Sequence, residues 1–521
     1  MDDSLAFLRS KPMLRRRLCS GDHLGLAGVR LPHIMGPYIV CGLTGIAACY
    51  LAYTSFQFSL FAVRVLAALS LAGLVWTLYS AAHLTRDIFN PFTVFILGSY
   101  LFHCSQIWIA AAGVHSINQY FTLLDHGLPG SVFVQAATYC VLGLSVFSLC
   151  GLLGLTRLRA TRQLARITEQ HDQSATTLLR LLTLVMFLVT LAARVYCDSE
   201  RFSLAMQDGY LSIYSIERRG WLLPLLDSSF SMAIAANVIS FRCHIWLRRI
   251  FFSGGIAYAL VSMAVIGNRG EQVSSIILLF WAHHAFVRPF ARRDYRLAIA
   301  AALVLLLLCS IVSMTRMQSR HDLAHANYFT DLKERNLILS SFAEIGGTLL
   351  TPMFAVECIP SDLSFGCGAS YVSAGLIQIP GAAHLIPWIR DNYSMANTLN
   401  KFGAPLGGSY IAETYFNFSW YGVIVMGALG WGVSAVTRIA HNRRLSMSII
   451  SPIMLLAIVQ GLFMFVRDES FTLWFSASKA LAFGFLGVLL CGRRSPAGFG
   501  AKWKLSGRPR TTSIQASRSR F

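Results

Sequence analysis

Long apolar stretches, separated by shorter polar segments, run through most of this chain of 521 residues. Twelve of these stretches have roughly 17–25 residues, the length that an α-helix needs to cross a hydrocarbon core about 30 Å thick. They cover residues 34–54, 58–81, 91–113, 131–155, 177–197, 222–241, 250–267, 272–287, 296–315, 411–436, 449–466 and 472–491. The pattern predicts an all-α, polytopic membrane protein whose bundle of about 12 transmembrane helices occupies residues 34–491.

The composition indicates the same class of protein. Apolar residues make up 55% of the chain and charged residues only 13%. With a mean hydropathy of +0.56, these values exclude an ordinary soluble domain. Residues 1–33 are polar and basic and lack the apolar core of a signal peptide, so we expect a cytoplasmic N-terminal segment rather than a cleaved leader.

Basic residues are concentrated in the loops of one side. If the N-terminus is cytoplasmic, the inner segments hold most of the 44 Lys and Arg residues and few of the 24 acidic residues. The positive-inside rule then places both termini in the cytoplasm. This topology explains the net charge of +20, so no nucleic-acid partner is expected. The basic tail, residues 492–521, is predicted to be disordered and to face the inner leaflet.

Two long polar segments then lie on the outer side, at 194–221 and 316–410. The second is a large loop between predicted helices 9 and 10, and it re-enters the membrane through GGSYIAETYFNF. Its two cysteines, Cys358 and Cys367, either form a disulfide or remain free thiols. The other cysteines show no metal-ligand spacing, and neither a metal nor a cofactor is expected. A structured loop on one face of a membrane bundle favours a functional site there.

Arginine recurs on this outer side, against the positive-inside bias. Arg269 in GNRGEQ and Arg467 in VRDES lie in tight turns near membrane depth, where an unpaired charge is costly. A guanidinium group can bind phosphate through two parallel hydrogen bonds, which predicts a site for a lipid diphosphate. The alternative for each arginine is an ion pair with a neighbouring acid. The predicted set comprises Arg201, Arg218, Arg219, Arg269, Arg316, Arg320 and Arg467.

Several of these elements together resemble the Wzy-type O-antigen and exopolysaccharide repeat-unit polymerases. They are GNRGEQ, the arginine-led loop, FAEIGGT within that loop, GGSYIAETYFNF and FVRD, in this order along residues 190–490. The resemblance implies metal-independent glycosyl transfer at the periplasmic face of the bacterial inner membrane. It also implies three partners: undecaprenyl-diphosphate-linked oligosaccharide, the lipid bilayer and a chain-length regulator.

Such enzymes move a growing glycan from undecaprenyl diphosphate to the sugar of another lipid-linked repeat unit. The resemblance assigns the arginines to the diphosphate that leaves, where they stabilise developing negative charge. The acceptor hydroxyl needs a base, for which His321, Glu413 and Glu344 are the candidates. Glu413 also has a structural explanation, because a carboxylate is stabilised in the first turn of a helix.

Two other functions remain open. An O-antigen ligase-type glycosyltransferase has a similar architecture with a lipid A–core acceptor, although GGSYIAE favours the polymerase. A lipid-linked oligosaccharide flippase or transporter should show repeated halves and charges at mid-depth. No clear repeat relates predicted helices 1–6 to 7–12, and the charges inside predicted spans are few, namely Arg64, Asp227 and Lys479.

Overall fold

The computed structural model describes residues 31–114, 128–159, 173–208, 221–267, 269–316, 337–400, 407–443 and 450–492, and the regular structure in these ranges is helical. The first half of the fold consists of α1 (Leu31–Tyr53), α2 (Leu60–Thr85), α3 (Pro91–Ala111), α4 (Gly130–Leu155), α5 (Gln173–Asp208), α6 (Leu222–Ser228), α7 (Phe230–Ser240), α8 (Ile245–Ile266), α9 (Arg269–Ala282) and α10 (Arg292–Arg316). A π-helical turn, His283–Val287, extends α9.

The second half begins with shorter helices. It consists of α11 (Leu337–Ile345), α12 (Leu350–Cys358), α13 (Ala369–Leu376), α14 (Ala382–Leu385), α15 (Pro387–Asn392), α16 (Met395–Asn400), α17 (Tyr410–Phe418), α18 (Gly422–Arg443), α19 (Ile450–Phe465) and α20 (Ser470–Gly492). A 3₁₀ turn, Gly346–Leu349, joins α11 to α12, and another, Ser419–Tyr421, joins α17 to α18.

Each of the twelve predicted apolar segments contains helix, but fewer qualify as membrane spans. Within the described ranges, eight helices are long and apolar enough to cross a membrane, or nine if α6 and α7, which meet at a bend of 47°, form one span. The helical fold and its multi-pass character are therefore confirmed. The count of twelve spans, the cytoplasmic termini and the extent of each outer loop remain predictions.

One of the eight candidate spans lies inside the predicted outer loop. Leu339–Cys358, made of α11, the 3₁₀ turn and α12, is long and apolar enough to cross a membrane. A Gly-Gly pair in sequence is typical of the end of a helix, yet at Gly346–Gly347 the helical path continues through a 3₁₀ turn into α12. A side chain at 346 would collide with α3, because the amide nitrogen of Gln106 lies 2.7 Å from the position of its Cβ atom. Glycine thus allows the close approach.

The helices pack around two apolar cores that share α19. The first core lies among α1–α4, α12, α17 and α18, and there Phe95 stacks on Phe147 with ring centroids 5.1 Å apart. The second lies among α5, α7, α9 and α19, around the fully buried Trp281. Phe465 of α19 belongs to the first core and Leu456 to the second. The end of α19 is therefore held by both parts of the bundle.

α4 packs closely against α18. At Gly430, a Cβ atom would lie 2.9 Å from the carbonyl carbon of Phe147, which backbone atoms cannot avoid by a rotamer change. At Gly432, two residues further along α18, nothing lies within 4 Å of the corresponding Cβ position.

We expect Gly430→Val to separate α4 from α18 and to lower the free energy of unfolding by about 3 kcal/mol, the upper part of the range for overpacking. The loss is measured as the thermal unfolding midpoint of the purified protein in detergent, where size-exclusion chromatography after each heating step reports how much protein remains folded. Gly432→Val is the matched control and should unfold like wild type. Equal midpoints for the two variants would show that the α4–α18 contact does not limit stability.

Candidate functional site

Arg201 belongs to a buried ionic network between α5, α6 and α9. Its Nη1 lies 2.7 Å from Asp198 Oδ1, and its Nη2 lies 2.6 Å from Asp227 Oδ2. Arg194 belongs to the same helix, α5. It lies 3.1 Å from Asp198 and 3.3 Å from Asp227, and it also forms an ion pair with Glu271. Since the Arg201 side chain is only 10% exposed and has two carboxylate partners, the geometry favours the ion-pair alternative for this arginine.

Arg269 is the first residue of α9 and precedes Glu271 by two residues. Its Nη1 donates to the backbone carbonyl of Cys309 in α10 at 2.8 Å, and its Nη2 forms an ion pair with Glu344 of α11. Both side chains keep some exposure, 14% for Arg269 and 22% for Glu344. Two of the predicted site residues, 75 positions apart in sequence, are thus in direct contact.

Arg467 lies against Gly270, the residue that follows Arg269. Its Nη1 is 3.2 Å from the position that a Cβ atom of Gly270 would occupy, so any larger residue would press on the guanidinium group. The guanidinium carbon lies 5.8 Å from the ring centroid of Phe102, within the range of a cation–π contact. Arg467 is exposed, and no carboxylate among the described residues forms an ion pair with it.

Arg467 lies alongside α3, inside the bundle, and not beyond the C-terminal end of this helix. Phe102, which contacts Arg467, precedes the last residue of α3, Ala111, by nine residues, or about 13 Å of helix. From the same region of α3, the side chain of Gln106 donates to the carbonyl of Ala343, the residue before Glu344, at 2.5 Å. An arginine at this depth, with its head exposed and unpaired in the described structure, is suited to binding an anion.

Glu413 lies in the first turn of α17 and is fully buried. One carboxylate oxygen, Oε1, accepts hydrogen bonds from Ser370 Oγ at 2.7 Å and from Ser470 Oγ at 2.6 Å. The other, Oε2, accepts from the backbone N–H of Ser470 at 2.7 Å. This carboxylate therefore joins α17 to α13 and to the N-terminus of α20.

Glu469 repeats this arrangement at the turn between α19 and α20. Its Oε2 accepts from the N–H of Met395 at 2.8 Å, and its Oε1 accepts from the N–H of Ala396 at 2.7 Å, which caps the start of α16. Burial, followed by repulsion from Glu413, raises the pKa of Glu469 to about 8. Ser394 Oγ adds a third donor at 3.3 Å.

The remaining predicted residues lie mostly outside the described ranges. Arg218, Arg219, Arg320 and His321 belong to this group, and Arg316 ends α10 with its side chain outside the description. Cys358 and Cys367 are both free thiols. The structure therefore brings together Arg269, Arg467 and Glu344, and separates Arg201 and Glu413 into two neighbouring polar clusters.

Several residues of these clusters were not predicted. Arg194 was not in the predicted set of arginines, although the spacing of Arg194, Asp198 and Arg201 places all three near one side of a helix. His103 gave no signal, since it is one polar residue in an apolar stretch. Its Nε2 lies 3.1 Å from Ser409 Oγ, which caps α17.

The fold and this site define a multi-pass membrane protein with a cluster of arginines and acids within its helical bundle. The profile of the family described as O-antigen polysaccharide polymerase Wzy matches residues 38–494, so the chain belongs to this family of membrane polymerases that build polysaccharide from lipid-linked repeat units. No curated protein and no solved structure matches the chain.

Arg201→Met should lower the free energy of unfolding by about 3 kcal/mol, because it leaves Asp198 and Asp227 with one cation between them. Thermal unfolding in detergent measures the change. Arg293→Met provides a control at an exposed arginine of α10, with an expected change within about 0.5 kcal/mol. If Arg201→Met unfolded like this control, the network would not stabilise the bundle.

Glu469 should make the stability pH-dependent. Its pKa of about 8 lies above the ordinary 4.5, so between pH 4.5 and about pH 8 the folded chain keeps a proton that the unfolded chain releases. Its contribution to stability is therefore complete below about pH 4.5 and is lost as the pH rises towards about 8. In unfolding experiments, the difference between wild type and Glu469→Gln should shrink from about pH 5 to pH 8. Glu357→Gln, at an exposed acid of α12, is the matched control.

Proposed function

We propose that this protein polymerises oligosaccharide repeat units linked to undecaprenyl diphosphate, at the periplasmic face of the bacterial inner membrane and without a metal ion. Membership of the O-antigen polymerase family supports the polymerisation of repeat units. The observation that carries the rest is the position of the Arg467 guanidinium group against Gly270, the residue after Arg269, with Glu344 in contact with Arg269.

Glycosyl transfer from a lipid diphosphate requires groups that stabilise the negative charge that develops on the leaving diphosphate. The bond between the first sugar of the donor and its diphosphate breaks, and the acceptor hydroxyl forms the new glycosidic bond at that carbon. The diphosphate leaves as an anion. Two neighbouring guanidinium groups at membrane depth stabilise this anion more in the transition state than in the bound substrate, which accelerates the step.

Arg269 and Arg467 have different starting states in this proposal. Arg467 is exposed and meets the diphosphate directly. Arg269 is held by Glu344 and by the carbonyl of Cys309, and the arriving anion competes with Glu344 for it. Competition of this kind frees the carboxylate of Glu344 close to the diphosphate.

Glu344 is the base that we favour for the acceptor hydroxyl. Its carboxylate is partly exposed and forms an ion pair with Arg269, whereas Glu413 is fully buried. His321 remains a candidate from the sequence, and Arg218, Arg219, Arg316 and Arg320 remain candidates for the diphosphate. A chain-length regulator is a further proposed partner.

The overall reaction can be tested with purified protein in liposomes that contain lipid-linked repeat units. We expect a ladder of lengthening glycans on a gel. Movement of lipid-linked sugar across the bilayer without lengthening would overturn the proposal in favour of a flippase. Transfer of glycan only to added lipid A–core would identify a ligase.

Arg467→Ala should reduce polymer formation by about 10²–10³-fold, the loss typical of removing one group that stabilises an oxyanion. Arg467→Lys should restore little activity if the guanidinium binds through two hydrogen bonds. The ladder is measured in a deletion strain that expresses each variant, together with the amount of protein in the membrane.

Arg390→Ala is the matched control, because Arg390 is an exposed arginine of α15 that pairs with the adjacent Asp391. This variant should form normal polymer. A normal ladder from Arg467→Ala would contradict the proposed role. So would a loss of activity that follows a parallel loss of protein from the membrane.

A further inference from the structure

The turn that carries Arg467 is fixed by hydrogen bonds on both sides. Asp468 Oδ2 accepts from Thr472 Oγ1 at 2.5 Å, and Asp468 Oδ1 accepts from the N–H of Glu469 at 2.9 Å. Glu469 in turn binds the start of α16. Arg467 therefore extends from a turn in which each of the next two residues has a defined partner.

Glu413 closes this arrangement from α17. Its carboxylate binds both the N–H and the hydroxyl of Ser470, the first residue of α20 and only three residues after Arg467. The segment before α17 is equally close to the turn, because a Cβ atom at Gly408 would lie 3.0 Å from the amide nitrogen of Glu469. The entry into α17 and the turn after α19 are therefore one packed unit.

The hydrogen atoms around Glu413 are also accounted for. Asn417 Nδ2 donates to Ser370 Oγ at 2.8 Å, so the hydroxyl hydrogen of Ser370 is free to point at the Glu413 carboxylate, 2.7 Å away. Asn417 Oδ1 accepts from the N–H of Gly368 at 2.9 Å. Three donors thus face one buried carboxylate, and they compensate its removal from water.

A base must contact the hydroxyl that it deprotonates. Glu413 has no exposed surface, and each of its oxygens already accepts from protein donors. The same contacts are what a residue needs in order to hold a turn in place. The burial and the bonding pattern therefore favour a different role for Glu413 from the one its position in the sequence suggested.

We propose that Glu413 is a positioning residue, whose buried carboxylate fixes the 467–470 turn and thereby aims Arg467 at the diphosphate. The proposal rests on the proposed function for the role of Arg467. The attachment of the turn to Glu413 can be measured without any activity.

The first experiment is hydrogen exchange by mass spectrometry on the full-length protein in detergent. Glu413→Ala removes the acceptor of the Ser470 N–H, so peptides covering residues 466–474 should exchange at least tenfold faster. Peptides from α2 should be unchanged. Glu413→Gln keeps one oxygen for this N–H, and its amide can donate to the serine hydroxyls, so it should exchange close to wild type. Glu357→Ala, at an exposed acid, is the control.

The second experiment compares polymer formation. Glu413→Gln cannot act as a base but keeps the shape of the contact, so we expect at least a tenth of wild-type activity. Glu413→Ala should lose about as much activity as Arg467→Ala. The double variant Glu413→Ala/Arg467→Ala should be no worse than Arg467→Ala alone, because both changes act through one guanidinium group.

Three results would overturn the proposal. The first is slow exchange at 466–474 in Glu413→Ala. The second is loss of polymer in Glu413→Gln with wild-type exchange, which would identify a base. The third is multiplication of the two losses in the double variant. If wild type itself formed no polymer, the proposed function would fail, while the exchange experiment would still decide whether Glu413 holds the turn.

Discussion

Ionisable groups inside an apolar helical bundle are stable only when other groups compensate their charge, and this requirement organises the polar part of the fold. Asp227 is 3% exposed and lies between Arg194 and Arg201. Glu413 satisfies the same requirement differently, since an N–H group and serine hydroxyls take the place of cations. Glu469, whose pKa burial raises to about 8, keeps its proton at neutral pH and so avoids a buried charge. The buried Lys479 lies 3.4 Å from Gln460 Oε1 and faces the ring of Phe475.

Against this background, the arginines differ in how completely they are paired. Arg194 has three carboxylate partners and Arg201 has two, and both are nearly buried. Arg269 has Glu344 and remains partly exposed. Arg467 is exposed, and its guanidinium group lies over the ring of Phe102. The series runs from arginines that hold helices together to one whose guanidinium group is available to an anion from outside the chain.

Much of the fold could be predicted from the sequence, because membrane helices carry their signal locally. Length and hydropathy place helix in all twelve predicted segments, since the bilayer requires every backbone group to be paired within its own helix. Leu339–Cys358 was not predicted as a span. Its glycine pair resembles a helix end, and only the proximity of α3 shows why glycine is needed there.

The candidate site could be predicted only in part. Arg269 and Arg467 were selected from two tight turns, because arginine on the outer side runs against the positive-inside bias, and Glu344 was selected from the long loop as a candidate base. Their contacts depend on helix packing that brings residues 75 or more positions apart together, which spacing alone does not reveal. Glu413 was selected for its place at a helix start, yet the sequence contains no sign that Ser370 and Ser470 converge on it.

The position of α11 and α12 changes how the long segment after α10 contributes to the site. An aqueous loop would have to bring its acid to the arginines from outside the bundle. Instead, α11 packs against α3 and α10, and Gly346, at the start of the 3₁₀ turn that follows α11, allows the backbone to approach Gln106 closely. Glu344 is therefore held at the depth of Arg269 by apolar packing. An ion pair between segments so far apart in sequence is then stable, because the helices fix both partners before the charges meet and little side-chain freedom is lost on pairing.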